Sequence, residues 1–141
     1  MGKTTFSGPV YSLNGFGTPL QYVTAADTSP IDVQAGATVI ILSAADGGPA
    51  AEVTLRLPKV STTDGQAFNI TNADPNYVGI RGAVLNYGAV AHVLAGTDSQ
   101  PVNQDADGAV IAAGTLVQWA GNGNPAAPWA AAAMTLCAGK T

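Results

Sequence analysis

Residues 52–57 read Glu-Val-Thr-Leu-Arg-Leu, so that Val53, Leu55 and Leu57 alternate with Glu52, Thr54 and Arg56. A period of two places the apolar side chains on one face and the polar ones on the other, the pattern of a half-buried β-strand. Pro58 has no N–H to donate to a ladder and ends the strand. Asp64-Gly65 then supplies a turn able to take positive φ, and Ala67, Phe68 and Ile70 restart an apolar alternation. The spacing predicts strand, loop and strand over residues 52–72.

The same grammar runs through the chain. Residues 38–42, Thr-Val-Ile-Ile-Leu, are short and rich in β-branched side chains, which predicts a central strand covered on both faces. Residues 77–87 form an apolar stretch interrupted by Gly79 and Gly82, where a bulge or close backbone approach is expected. Residues 90–94, Val110-Ile111 and residues 115–119 read as further strands. Turn signals rich in Gly, Pro, Asn and Asp (44–49, 72–76, 96–101, 103–108 and 121–125) separate them at intervals of about ten residues, the signature of a sandwich or barrel. The alanine-rich tail from Trp129 to Cys137 favours helix by composition, but its place after a hairpin turn in a β pattern favours a strand. The expected fold is all-β: one compact antiparallel sandwich or barrel-like domain over residues 31–141. Its core is predicted to contain Val39, Ile41, Val53, Leu55, Leu57, Phe68 and Ile70, with Trp119 as a core or interface anchor.

Residues 1–30 carry three prolines and four glycines with no sustained period, yet Phe6, Val10, Tyr11, Leu13, Phe16, Leu20, Tyr22 and Val23 make them too apolar for a solvated linker. They read as an extended arm that docks through Phe6, Val10, Tyr11, Leu13 and Phe16. The alternative is an N-terminal strand laid on the domain's own sheet.

A chain of 141 residues suits one domain. It is 47% hydrophobic and only 10% charged, where soluble domains carry roughly 25% charged residues. Alanine inflates the hydrophobic count, but the shortage of charge still indicates an assembly component whose surfaces dock against protein. A net charge of -4 with only five Lys and Arg excludes nucleic acid as a partner. The apolar runs are far short of the roughly 20 residues of a membrane span, and no signal-peptide pattern opens the sequence, so no membrane partner is expected. Phe6 stands where a myristoylation motif needs Ser or Thr. Cys137 is the single cysteine and reads as a small buried hydrophobe rather than a reactive thiol.

Three constellations invite chemistry. Asn103-x-Asp105-x-Asp107-Gly108 places oxygen ligands at alternating positions as in the first half of a calcium loop, but Gly114 stands where the closing acid belongs, and a structural turn is the reading preferred. Neither a metal nor any other cofactor is expected. His92 lies near Asp98 and Ser99 in sequence, but no motif positions a nucleophile, and the acids sit mainly in turns rather than as a facing pair, so the chain is not expected to be an enzyme. Gly139-Lys140-Thr141 has Met134 where a phosphate loop needs its first glycine and reads as a terminus.

The central Thr-Leu-Arg-Leu-Pro, polar spacer and Gly-x-x-Phe-x-Ile-x-Asn resemble the repeating β unit of bacteriophage virion proteins, above all capsid decoration proteins and fibre tips. The likeness covers chiefly residues 52–119, with Trp119 and Trp129 both suiting the strand and turn to tryptophan that ends the pattern. The opening Gly-Lys-Thr-Thr-Phe-Ser-Gly-Pro-Val-x-Ser-x-Asn-Gly-Phe is similar to the start of decoration-type proteins of marine phages. The resemblance implies a cement protein, made in the host cytoplasm and carried on the outer surface of the virion, with the major capsid protein as partner and a homotrimer as its assembly. Burial of apolar area and strand addition between subunits would be its means of attachment. The alternative it implies is a fibre tip that binds a host glycan or surface protein, with Trp119, Trp129 and Tyr77 as candidate sugar platforms. The short chain and the absence of heptads favour decoration.

Overall fold

A computed structural model of the protein describes residues 5, 7, 8, 13, 17–62 and 65–135. These form two facing sheets. The larger contains β1 (Leu20–Val23), β3 (Thr38–Ile41), β5 (Arg81–Asn86), β8 (Thr115–Gly121) and β9 (Trp129–Thr135), side by side in that order. The smaller contains β2 (Ile31–Asp32), β4 (Thr54–Leu57), β6 (His92–Gly96) and β7 (Ala109–Ile111). The protein is all-β and sandwich-like, and neither sheet closes into a barrel.

The expected antiparallel arrangement is corrected to a mixed one. From β1 to β6 the chain lays strands alternately in one sheet and the other, so that β1, β3 and β5 run parallel in the first and β2, β4 and β6 parallel in the second. A parallel neighbour requires a crossover connection, and here each crossover is itself a strand of the opposite sheet. Among the described strands only β6–β7, β5–β8 and β8–β9 pair antiparallel.

The boundary expected at residue 30 falls inside the fold. Leu20 to Val23 pair in register with Thr38 to Ile41, and Val23 is completely buried, so over these residues the alternative of a strand on the domain's own sheet holds. Gln21 ties this edge to the other sheet: its Nε2 donates to the Asp32 carbonyl at 2.8 Å and its Oε1 accepts the Gln34 N–H at 3.2 Å.

Between the sheets lie Val23, Val39, Ile41, Val84, Val117, Trp119 and Trp129 from the larger and Val53, Leu55, Leu57, Leu94 and Ile111 from the smaller, none more than 7% exposed. Phe68 and Ile70 do not join them. Residues 66–71 form no strand, and the two side chains are 40% and 93% exposed. The local reason is a polar knot: Asn69 Oδ1 accepts the N–H groups of Thr71 and Asn72, and Asn72 Nδ2 donates to the Ala67 carbonyl, so side chains satisfy backbone groups that a sheet ladder would have taken. Tail residues 129–135 form the expected strand.

The two tryptophans explain two glycines. Gly82 is directly opposite Trp119 in the β5–β8 ladder, and Gly121 is opposite Trp129 in the β8–β9 ladder. A Cβ on Gly82 would stand 2.1 Å from Trp119 Cζ2, and one on Gly121 2.7 Å from Trp129 Cζ3. Each indole lies across the glycine beside it, and the rings meet edge to face at 5.4 Å with Tyr77 edge-on to Trp129 at 5.7 Å. Among the buried polar groups is Asn86, whose Nδ2 donates to the carbonyls of Val90 at 2.8 Å and Ala112 at 3.2 Å while its Oδ1 accepts the Gly88 N–H.

Candidate docking surface

The sheets differ in what their outer faces offer. On the smaller sheet the outward positions include Asp32 and Arg56, paired side by side in register and joined by a 2.7 Å ion pair, with Lys59 bonded to Asp98 at 2.7 Å nearby in the chain. Each carboxyl is held below the usual carboxylate range by the hydrogen bond from its basic partner, and the Arg56 guanidinium is raised by the one it donates to Asp32. This is an ordinary charged surface, and such exposed pairs contribute little to stability.

The larger sheet presents no acid at all in its strands. Alternation sends Val39, Ile41, Val84, Val117 and Trp119 inward, which turns their strand neighbours outward. The register then aligns Tyr22, Ile40, Leu85, Leu116 and Met134 in one row straight across all five strands. A second row, two residues along, holds Leu20, Thr38, Ala83, Gln118 and Ala132, and a third holds Arg81, Ala120 and Ala130. Leu20, Tyr22 and Met134 are 56%, 55% and 55% exposed, and Ile40, Leu85 and Leu116 are half-buried. Complete burial of such side chains is worth about 1.5–3 kcal/mol each, so covering the three exposed ones would gain on the order of 1 kcal/mol apiece.

The face has relief as well as chemistry. Its first row is a ridge of large side chains. Beyond it, alanines of β8 and β9 leave a shallow depression of about 320 Å³ lined by Arg81, Gly82, Gln118, Ala120, Ala130 and Ala132. Contiguous exposed apolar surface marks a site where protein, membrane or ligand docks.

The free edge of β9 is partly occupied. Asn103 donates its backbone N–H to the Trp129 carbonyl at 3.0 Å, and its side-chain amide pairs with both backbone groups of Ala131, at 2.7 and 2.9 Å. The amide thus imitates one residue of a neighbouring strand and blunts an edge open to pairing.

The other sequence candidates separate. Asn103 is committed to β9, and Asp105 Oδ1 accepts the Asp107 N–H at 2.9 Å, so the expected turn is present and two of its three candidate ligands are engaged with backbone. Among the described residues no cluster of three or more His, Cys, Asp and Glu is arranged to hold a metal ion. His92 is buried, and its Nδ1 accepts the Val53 N–H at 3.0 Å, whereas Asp98 faces Lys59 on the surface; they form no catalytic pair. Burial lowers the His92 pKa, opposed by the charge of Glu52. Trp119 and Trp129, each 2% exposed, are core anchors rather than open sugar platforms. Of the expected docking residues, Phe6, Val10, Tyr11 and Phe16 lie outside the described residues, and Leu13 is fully exposed.

The outward row was missed by reading the strands singly. Its signal is present in the sequence: Val39-Ile40-Ile41, Val84-Leu85 and Leu116-Val117 are apolar at both parities, where a solvated strand alternates. No family model matches the chain, and a search of curated proteins finds no match.

Proposed function

We propose that this chain is a structural virion protein, a capsid decoration protein carried on the outer surface of a phage head, rather than an enzyme. The observation that carries the proposal is the acid-free, apolar outer face of the five-stranded sheet, on a chain of net charge -4. A face of this kind gains free energy by being covered with protein, which is how a cement protein adds cohesion to a shell. The phage reading itself comes from the resemblance of residues 52–119 and of the opening segment. In it, Phe6, Val10, Tyr11, Leu13 and Phe16 contact the major capsid protein, and copies of the chain associate with one another, the trimer being the assembly the resemblance implies. The fibre-tip alternative draws less support, because its candidate aromatic platforms are the core anchors Trp119 and Trp129 with Tyr77 packed on them.

Co-sedimentation of the full chain with expanded capsids assembled without it tests the proposal. Saturable binding to the shell is expected. Failure to bind, with retention instead on host cells or host glycans, would overturn decoration in favour of the fibre reading.

A further inference from the structure

We infer that the outer face of the five-stranded sheet is closed by a second copy of the same face, the two copies related by a two-fold axis running across the strands along the row of Leu20, Ala83, Gln118 and Ala132. The inference rests on the reading of the chain as an assembly protein, puts a two-fold pair in place of the trimer that the resemblance implies, and names the occupant of the surface described above.

Three observations carry it. The first is relief. Facing sheets pack about 10 Å apart, which accommodates large side chains against small ones but not ridge against ridge. Here the ridge and the depression lie on the same face, on opposite sides of one row. A two-fold axis along that row sets the β5, β8 and β9 part of each ridge against the partner's depression: Met134 over Ala130, Leu116 over Ala120, and Leu85 over the aliphatic stem of Arg81. The self-complementarity follows from register alone, and a C2 interface requires it.

The second is charge. Two copies of a chain with net charge -4 repel wherever their acids meet, and the five strands forming this face contain none. Arg81 is the only charged residue in them, and the axis keeps the two Arg81 side chains apart, at opposite margins about 13 Å from each other along the strand direction. Gln118 lies on the axis beside its own copy, where each amide can donate to the other.

The third is extent. Five strands by five residues make a footprint of roughly 24 by 17 Å. That is modest beside the roughly 800 Å² per partner of a standard interface, so the pair is weak and reversible in isolation and is reinforced when copies are held together on a shell.

Sedimentation equilibrium of the full chain at concentrations up to about 1 mM tests the pairing, with Met134→Glu and Ala132→Trp alongside. Both substituted positions are exposed, so a far-UV spectrum and urea midpoint like those of the parent are expected. The parent should show a concentration-dependent dimer. Met134→Glu places a carboxylate in the partner's depression and Ala132→Trp collides with itself on the axis, and each should weaken the dimer at least tenfold. In a Cys137→Ser background, a short bismaleimide should link a mixture of Met134→Cys and Ala130→Cys chains and should not link Met134→Cys chains to themselves. A trimer, a dimer indifferent to both variants, or self-linking of Met134→Cys overturns the two-fold pairing. A monomer at every concentration overturns it too, and capsid binding then separates the two claims. If Met134→Glu abolishes that binding, the face docks on the shell and the assembly reading stands; if binding is untouched, the assembly role of the face falls with the pairing.

Discussion

His92 and Val53 are thirty-nine residues apart in the chain, and their hydrogen bond fixes where β4 begins beside β6. Nδ1 must be unprotonated to accept the Val53 N–H, and burial favours the same neutral state. The folded pKa therefore lies below the roughly 6.5 of an unfolded histidine, so between the two values the unfolded chain binds more protons than the native one. Stability is complete above about pH 6.5 and falls as the pH drops through 6.5 toward the folded value. Urea unfolding at pH 7.5 and 5.5 should show this loss, and His92→Asn, which keeps an acceptor near Nδ1, should abolish the dependence. Removing the acceptor by His92→Ala should cost about 2–4 kcal/mol at pH 7.5, through an orphaned buried donor and a cavity. The carboxyls lowered by their basic partners, Asp32 and Asp98, lose their partners' favour only as the pH falls to the carboxylate range, outside this window.

Gly82 is a second residue whose role is decided by one contact. Alanine in place of a strand glycine ordinarily stabilises by roughly 0.5–1 kcal/mol. The added Cβ would here meet Trp119 Cζ2 at 2.1 Å and the Ala37 carbonyl oxygen at 2.6 Å, and overpacking of that kind costs about 1–3 kcal/mol. The contact wins, so Gly82→Ala should lower the urea midpoint. In the sequence Gly82 could be read only as a bulge or a close approach; that the approach is an indole ring depends on the register, which no single strand reveals.

At the scale of elements, a free edge is managed by a side chain. Asn103 has φ of 54° and gives both ends of its amide to Ala131. Asn103→Gly keeps the backbone conformation without strain and deletes both side-chain bonds, so its expected cost of about 1–2 kcal/mol isolates the clip. Hydrogen exchange should report the same change locally, with the Ala131 N–H losing protection while that of Val117, inside the sheet, keeps it. The strands themselves were legible wherever apolar alternation met a strong stop, as at Val53, Leu55, Leu57 and Pro58. The failure at Phe68 and Ile70 has an equally local cause: Asn69 and Asn72 bond to the backbone around them before a ladder can form. The candidate ligands Asn103 and Asp105 were seen as a turn, but the attachment of that turn to β9 was not, because residue 103 and residue 131 are brought together only by the fold.

At the scale of the molecule, strand direction was the least legible property. A period of two is the same for parallel and antiparallel neighbours, and the turn signals at about ten-residue spacing suggested hairpins. The chain uses those turns to cross between sheets, which makes β1, β3 and β5 parallel neighbours and brings Tyr22, Ile40 and Leu85 into line. The outer row is thus a product of topology: its members come from segments spread over more than a hundred residues, from Tyr22 to Met134. On the proposed reading, the outer face of the five-stranded sheet is the docking surface that the low charge leads one to expect.

Hydroxyl-radical footprinting of the chain free at high dilution and bound to capsids addresses that surface directly, because Tyr22 and Met134 are both reactive and both 55% exposed. If the outer face of the five-stranded sheet is the surface covered in the assembly, both should oxidise several-fold more slowly in the bound state, while Phe68, in the loop outside that sheet, keeps its rate. Unchanged oxidation of Tyr22 and Met134 on shells that have demonstrably bound the protein would contradict the account, since the face would then remain open to water in the assembled particle.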